Sequence, residues 1–240
     1  MNYSSNSKSA IAIVDTGVRA SHKCLNGAIA GGIGVQRRGD SLDYIYDSDF
    51  DDRHGHGTGV ASLLHMLAPE TPLYAVRIAQ QQKIGYSIFV QEKVLALGIE
   101  WCLQKNIRLI NLSYSIEEAP DNGPLADACR KAHAQNTILV AAYRNGEKRP
   151  VYPSAFPTVI GVAVLPNSEH GEISILSEKN YDVAVYGGPY QVASLDQTFR
   201  VMCGTSLATA QVTGMVARML TIKPQLTLKQ VFVYLKKYAI

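Results

Sequence analysis

Short apolar runs alternate along the chain with longer stretches in which apolar residues recur every three or four positions. The short runs are rich in Ile and Val, a pattern typical of buried strands. They predict strands at 11–14, 72–78, 107–112, 137–142 and 159–164. The longer stretches predict helices at 59–67, 87–104, 124–135, 206–220 and, at the end of the chain, within 223–240. Strands that alternate with helices predict an α/β fold, with one mostly parallel central sheet and helices on both faces.

No linker, repeat or low-complexity segment divides the chain, so residues 1–240 are predicted to form a single domain. Hydrophobic residues make up 47% and charged residues 18%, which is ordinary for a globular protein. The net charge is +3 and the basic residues are scattered, which argues against a nucleic-acid surface. Apolar runs such as 137–143 are far shorter than the roughly 18 residues of a membrane-spanning helix, so no membrane partner is expected.

Two features predict a cytoplasmic protein. Residues 1–8 are polar and lack the basic start and apolar centre of a secretory signal. The cysteines are far apart and form no C-x-x-C pair, which predicts reduced thiols and neither a zinc site nor a disulfide scaffold. They are Cys24, Cys102, Cys129 and Cys203.

Candidate chemistry lies where strands give way to helices. Asp15 follows the first predicted strand, His56 stands between glycines at the entrance of a helix, and Ser206 lies in the first turn of another helix. Each residue alone is ordinary: a turn former, a structural histidine and a helix cap. Because ligands of parallel α/β sheets bind at the carboxyl ends of the strands, all three are expected at one edge of the sheet. The order Asp, His, Ser is one of the known orders of a nucleophilic triad.

Three short segments carry a family resemblance. Residues 15–17 read Asp-Thr-Gly, residues 56–61 read His-Gly-Thr-Gly-Val-Ala, and residues 204–209 read Gly-Thr-Ser-Leu-Ala-Thr. In order and spacing they resemble the Asp, His and Ser boxes of the subtilisin-like serine proteases, the subtilases, and weaker similarity extends over residues 9–222. The resemblance implies a subtilisin-like fold and a serine endopeptidase of minimal, intracellular form without a prodomain.

The resemblance also implies roles for individual residues. Ser206 would attack a peptide carbonyl, His56 would take its proton and pass it to the leaving amine, and Asp15 would orient the imidazole. The segment 141–146, Ala-Ala-Tyr-Arg-Asn-Gly, is similar to the family's Ala-Ala-Gly-Asn. Asn145 is therefore predicted to donate to the oxyanion, together with the backbone N–H of Ser206.

A substrate-binding set is implied in the same way. Residues 113–115 align with the strand that pairs with the substrate, although their Ser-Tyr-Ser replaces the usual Ser-Leu-Gly. Val151 stands where relatives often have a glycine at the base of the pocket, and its β-branched side chain predicts a shallow pocket that prefers a small residue before the scissile bond. The predicted set is Ser113, Tyr114, Ser115, Val151, Tyr86 and His54. The expected partner is a peptide or protein substrate.

No metal and no cofactor is predicted. The family holds a structural calcium with an aspartate and a loop after the His-box helix, whereas here Cys24 stands at the aspartate position and the chain has no room for the loop. A competing interpretation makes His54 and His56 a metal pair with Asp51 or Asp52, but no third dispersed ligand cluster accompanies them.

Other functions remain open at this stage. A peptide-binding pseudoprotease would keep the fold without cleavage. A peptide ligase or transpeptidase is favoured by Ala210, which replaces the family's usual proline and restores a backbone N–H shortly after the nucleophile. An aspartic protease built on Asp15 would need a dimer, since the chain has no second Asp-Thr/Ser-Gly segment.

The first predicted strand begins near residue 9, so no built-in inhibitor is expected before the catalytic domain. Activity would then be restrained by narrow substrate choice, as in the trimming of a precursor peptide, or by a separate inhibitor or regulator chain.

Overall fold

The computed structural model describes residues 10–37, 43–78, 90–144, 150–178 and 180–239. Within these ranges the strands are β1 (Ile11–Asp15), β2 (Ile29–Arg37), β3 (Tyr44–Asp47), β4 (Leu73–Arg77), β5 (Leu109–Leu112), β6 (Ile138–Ala142), β7 (Ile160–Val164), β8 (Ile173–Ser177), β9 (Asp182–Val185), β10 (Tyr190–Ala193) and β11 (Phe199–Met202). The helices are α1 (His56–Leu67), α2 (Glu92–Gln104), α3 (Pro124–Ala134), α4 (Thr205–Ile222) and α5 (Leu228–Lys237).

Nine strands form one sheet in the order β3-β2-β4-β1-β5-β6-β7-β9-β8. The five strands that the apolar runs predict are β4, β1, β5, β6 and β7, which are neighbours and pair in parallel. Antiparallel pairs occur at the two edges, between β2 and β3 and between β8 and β9. The predicted mostly parallel α/β sheet is therefore confirmed.

Side chains of the central strands alternate between two apolar layers, because these strands are buried on both faces. In β1, Ile11 and Ile13 face the layer that contains α1, α4 and α5, whereas Ala12 and Val14 face the layer that contains α2 and α3. Asp15, the last residue of β1, is in phase with Ile11 and Ile13. Its carboxylate therefore points toward α1 and α4 at the carboxyl edge of the sheet.

Edge strands and some helix bounds differ from the predictions. The apolar pattern does not predict β2, β3, β8 or β9, nor the separate antiparallel ribbon of β10 and β11, because these strands are short, partly exposed or rich in glycine. The helix expected from residue 87 begins at Glu92, since Gln91 has an extended backbone with ψ of 148°. Residues 87–89 lie outside the described residues. None of the helices in the described ranges has the length and hydropathy needed to cross a membrane.

Candidate active site

A buried Asp15 and a partly buried His56 form a hydrogen-bonded pair at the carboxyl edge of the sheet. His56 is the first residue of α1, and its Nδ1 lies 2.7 Å from Oδ1 of Asp15. Asp15 has no exposed surface, and the same oxygen accepts the backbone N–H of Thr16 at 2.7 Å. An ionised carboxylate can only accept, so Nδ1 of His56 carries the proton. The lone pair of Nε2 is then free to accept a proton from a substrate or a nucleophile.

The charges around His56 set its protonation. Burial of the ring lowers its pKa, but the charge and hydrogen bond of Asp15 and the charge of Asp52 outweigh burial, so the pKa lies above its usual value. The Arg200 guanidinium opposes this rise. His56 is therefore a neutral base only above its usual titration range.

Asp52, which the sequence suggests as a metal ligand, holds the Asp and His segments together. It is fully buried and accepts five hydrogen bonds. Its Oδ1 accepts from the hydroxyl of Thr16 and the N–H groups of His54 and Gly55, and its Oδ2 accepts from the N–H and hydroxyl of Thr58. With both oxygens occupied by these donors, Asp52 is not available as a metal ligand. The sequence does indicate this capping role, because an aspartate just before a glycine turn and a helix is typical of an Asx turn or helix cap.

The residue after His56 has to be glycine for this pair to form. A Cβ on Gly57 would lie 2.1 Å from the carbonyl oxygen of Gly17 and 3.1 Å from Cβ of Asp15. The N–H of Gly57 also donates to the Thr16 hydroxyl at 2.9 Å. The first turn of α1 therefore packs directly onto the backbone that follows β1.

Ser206 lies at the same edge of the sheet as this pair. Ser206 is half-buried and is the second residue of α4. The helix is preceded by Gly204, whose φ of 122° favours glycine. The N–H of Gly204 donates to the carbonyl of Gly187, just beyond the carboxyl end of β9, at 2.7 Å. The Met202 side chain packs closely on Gly59 of α1, since a Cβ added to this glycine would lie 2.8 Å from the Met202 sulfur. The segment leading to Ser206 therefore packs on the first turn of α1.

The starts of α1 and α4 are thus neighbours, but in the described residues Ser206 makes no hydrogen bond to His56. Such bonds are often long in the absence of substrate and tighten when it binds.

The predicted substrate strand lies next to this site. The Ser113 hydroxyl accepts from the buried side-chain amide of Asn111 at 2.9 Å, and the carbonyl oxygen of the same amide accepts from Thr213 of α4 at 2.9 Å. The ring of Tyr114 meets the His56 ring edge-on, with 5.7 Å between centroids. Burial and the charges of two nearby aspartates raise the pKa of Tyr114, so this side chain stays neutral. Asn111 therefore ties the strand to the helix that carries Ser206.

Ser115 borders an open groove of about 810 Å³. Val90, Ile116 and Glu117 also line it. A groove of this size can hold peptide side chains.

Val151 is buried, with 1% of its surface exposed. The next residue, Tyr152, exchanges two backbone hydrogen bonds of 2.8 Å with Ile116, beside the predicted substrate strand. The side chain therefore fills space near the expected pocket, and its effect on substrate choice stays a prediction.

The other predicted site residues divide into two groups. His54 is exposed, with its ring centroid 6.5 Å from that of His56. Asn145 and Tyr86 lie outside the described residues, so their predicted roles stay predictions. Across the described ranges, no three His, Cys, Asp or Glu side chains are grouped so as to hold a metal ion.

A model of the subtilase family matches residues 6–239. The chain belongs to the subtilase family. This subtilase is 30% identical over 238 residues to subtilisin DY of Bacillus licheniformis. The aligned region covers 92% of this chain and 80% of subtilisin DY. It is 31% identical over 220 residues to the minor extracellular protease Epr of Bacillus subtilis (strain 168), over 86% of this chain. It spans only 31% of the length of Epr.

Two solved structures share the fold of this subtilase. The S41 psychrophilic protease superposes with a TM-score of 0.76, over 95% of this chain and 82% of that one. Sphericase superposes with a TM-score of 0.73, over 96% of this chain and 83% of that one. Each is 21% identical in sequence. The predicted family and the predicted subtilisin-like fold are confirmed.

Proposed function

We propose that this subtilase is a serine endopeptidase that cleaves peptide bonds through an acyl-enzyme. The observation that carries the proposal is the 2.7 Å contact between His56 Nδ1 and Asp15 Oδ1 at the edge of the sheet where α4 also begins. A buried carboxylate that fixes one ring nitrogen of a histidine leaves the other nitrogen poised as a base. Family membership supports the same activity.

In the proposed reaction, Ser206 Oγ attacks the carbonyl carbon of the substrate while its proton passes to Nε2 of His56. Asp15 stabilises the resulting imidazolium through the Nδ1–H hydrogen bond. The imidazolium then gives the proton to the leaving amine, and the acyl group stays on Ser206. A water molecule, activated by the same histidine, releases the acyl group and restores the hydroxyl.

The oxyanion of the tetrahedral intermediate needs hydrogen-bond donors. The backbone N–H of Ser206, in the first turn of α4, has no partner within the helix because of its position. The side-chain amide of Asn145 is proposed as the second donor, on the strength of the resemblance around residues 141–146. Loss of one such donor typically lowers kcat by about 10²–10³.

The substrate is proposed to be a restricted peptide or protein in the cytoplasm, such as a precursor peptide that is trimmed. A buried, β-branched Val151 supports a shallow pocket and a small residue before the scissile bond. Four free cysteines are compatible with a reducing compartment. In a matched peptide series, cleavage should be faster after Ala than after Phe, and faster cleavage after Phe would contradict the shallow pocket.

The activity is tested by digesting unfolded casein and identifying the fragments by mass spectrometry. The unmodified chain should cut at a small number of sites, and Ser206→Ala should not cut at all. Ser168→Ala is the matched control, since within the described residues that hydroxyl makes one hydrogen bond, to the backbone carbonyl of Leu165. Absence of cleavage by the unmodified chain on casein and on the peptide series, with retained peptide binding, would indicate a pseudoprotease instead.

A further inference from the structure

Arg200 reaches from the β10–β11 ribbon onto the start of α1. In the ribbon Arg200 pairs with Val192, and both side chains face α1. A Cβ on Gly59 would lie 3.1 Å from Val192, and a Cβ on Gly55 would lie 3.3 Å from Nη2 of Arg200. Gly55 is the residue between His54 and His56. The guanidinium therefore rests beside the backbone that carries the candidate base.

Arg200 has no ion-pair or hydrogen-bond partner in the described part of the chain, and the carboxylates of residues 49–52 have other partners. Asp51 pairs with Arg19 at 2.7 Å, and both oxygens of Asp52 are filled by five donors. The nearby Arg53 pairs with Asp49. The exposed Arg200 cation is thus left without an ion-pair partner among the described residues.

A free cation at this place works against the proposed chemistry of the free enzyme. Arg200 lowers the pKa of His56, because it repels the imidazolium that forms when Ser206 gives up its proton. A carboxylate brought by the substrate would cancel this repulsion and gain a charge-assisted hydrogen bond.

The ribbon that carries Arg200 is anchored to its surroundings by hydrogen bonds. Nε2 of the buried His22 donates to the carbonyl of Thr198 at 3.2 Å, and the N–H of Lys23 donates to Oε1 of Gln197 at 3.0 Å. The N–H of Ala193 donates to the hydroxyl of Ser62 on α1 at 2.9 Å. The cation is therefore presented by a strand anchored on both sides.

We propose that Arg200 is a specificity-determining residue that binds an Asp or Glu side chain of the substrate within two residues of the scissile bond. The inference rests on the proposed endopeptidase function. Gly55 is adjacent to His56, and an extended substrate advances about 3.3–3.6 Å per residue, so side chains near the reacting carbonyl come within reach of the guanidinium.

The test uses otherwise identical peptides that differ at one position, which carries Asp, Asn or Lys. Three positions are tested in turn: two residues before the scissile bond, one residue after it and two residues after it. The unmodified enzyme should cleave the Asp peptide with a kcat/KM about tenfold above that of the Asn peptide at one or more of these positions. Arg200→Ala should abolish this ratio, and Arg200→Glu should favour Lys over Asp. The Asp preference should also shrink at high salt.

Arg218→Ala and Arg218→Glu are the charge-matched controls, because Arg218 is exposed toward the far end of α4. Both should keep the Asp to Asn ratio of the unmodified enzyme. A ratio near one at all three positions, or a ratio that persists in Arg200→Ala, overturns the role of Arg200. Since the Asn peptides measure cleavage without the charge, their cleavage shows that the endopeptidase function stands even if the role of Arg200 fails.

Discussion

Replacing Asp52 with asparagine would remove one charge and one acceptor from the centre of the site and keep the shape of the side chain. Oδ1 accepts from Thr16 Oγ1 at 2.9 Å and from the N–H groups of His54 and Gly55 at 2.8 Å. Oδ2 accepts from the N–H and hydroxyl of Thr58 at 2.9 and 2.6 Å. An asparagine has a single acceptor oxygen, so its NH₂ group must face at least one buried N–H.

The magnitude follows from these contacts. A hydrogen bond to a charged group contributes about 1.5–3 kcal/mol, and a buried N–H left without an acceptor costs about 1–3 kcal/mol. We therefore expect Asp52→Asn to lower the free energy of unfolding by about 3 kcal/mol. The pKa of His56 should fall as well, because the charge of Asp52 is one of the influences that raise it.

Denaturant unfolding measures the first effect, and NMR titration of the His56 ring measures the second. The titration is done in a Ser206→Ala background, so that it does not depend on catalysis. Asp51→Asn is the control: Asp51 pairs with Arg19 at the surface, with 47% of its side chain exposed, and its loss should cost less than about 1 kcal/mol. Equal stability of the two variants, together with an unchanged pKa of His56, would refute the role given to Asp52.

Three further predictions concern the surrounding structure. Burial raises the pKa of Asp182 to about 6, so the folded state favours the protonated acid. Stability should fall by at most about 3 kcal/mol as the pH rises from about 4 to 7. In thermal melts recorded across this pH range, Asp182→Asn should not show this decrease in stability. A pH profile equal to that of the unmodified chain would contradict the role of Asp182. Gly57→Ala should lower kcat/KM and should lower the free energy of unfolding by about 1–3 kcal/mol, because the new Cβ would lie 2.1 Å from the carbonyl oxygen of Gly17. Wild-type values of both quantities would show that α1 can shift freely. Thr213→Val should cost about 1–3 kcal/mol in denaturant unfolding by leaving Asn111 Oδ1 without its donor, and no loss would mean that water replaces the hydroxyl.

The centre of the fold could be predicted from sequence because its strands are buried on both faces and read as continuous apolar runs. β2 could not be predicted, because its glycines are required by close backbone contacts that exist only in the folded chain. A Cβ on Gly32 would lie 2.3 Å from the carbonyl oxygen of Ala75, and one on Gly34 would lie 2.5 Å from that of Asp49. Such close approach of two backbones leaves no local pattern that indicates a strand.

The candidate site shows the same division. Asp15, His56 and Ser206 stand at junctions between strands and helices, and the sheet geometry predicts that such junctions meet. Asp52 has the local position of a helix cap, but its charged run suggests a solvent-exposed surface, and its contact with Thr16 forms only when two distant segments meet on folding. Arg200 is far from His56 along the chain, and an unpredicted ribbon brings its guanidinium next to Gly55, the neighbour of His56.

The central claim is that Ser206 is a nucleophile activated by the His56–Asp15 pair. A fluorophosphonate probe, followed by mass spectrometry of the intact chain and its peptides, tests this claim most directly. We expect one phosphonyl group on Ser206, none in Ser206→Ala, and labelling that is strongly slowed in His56→Ala. Labelling of another residue, or equal labelling rates with and without the histidine, would contradict the account.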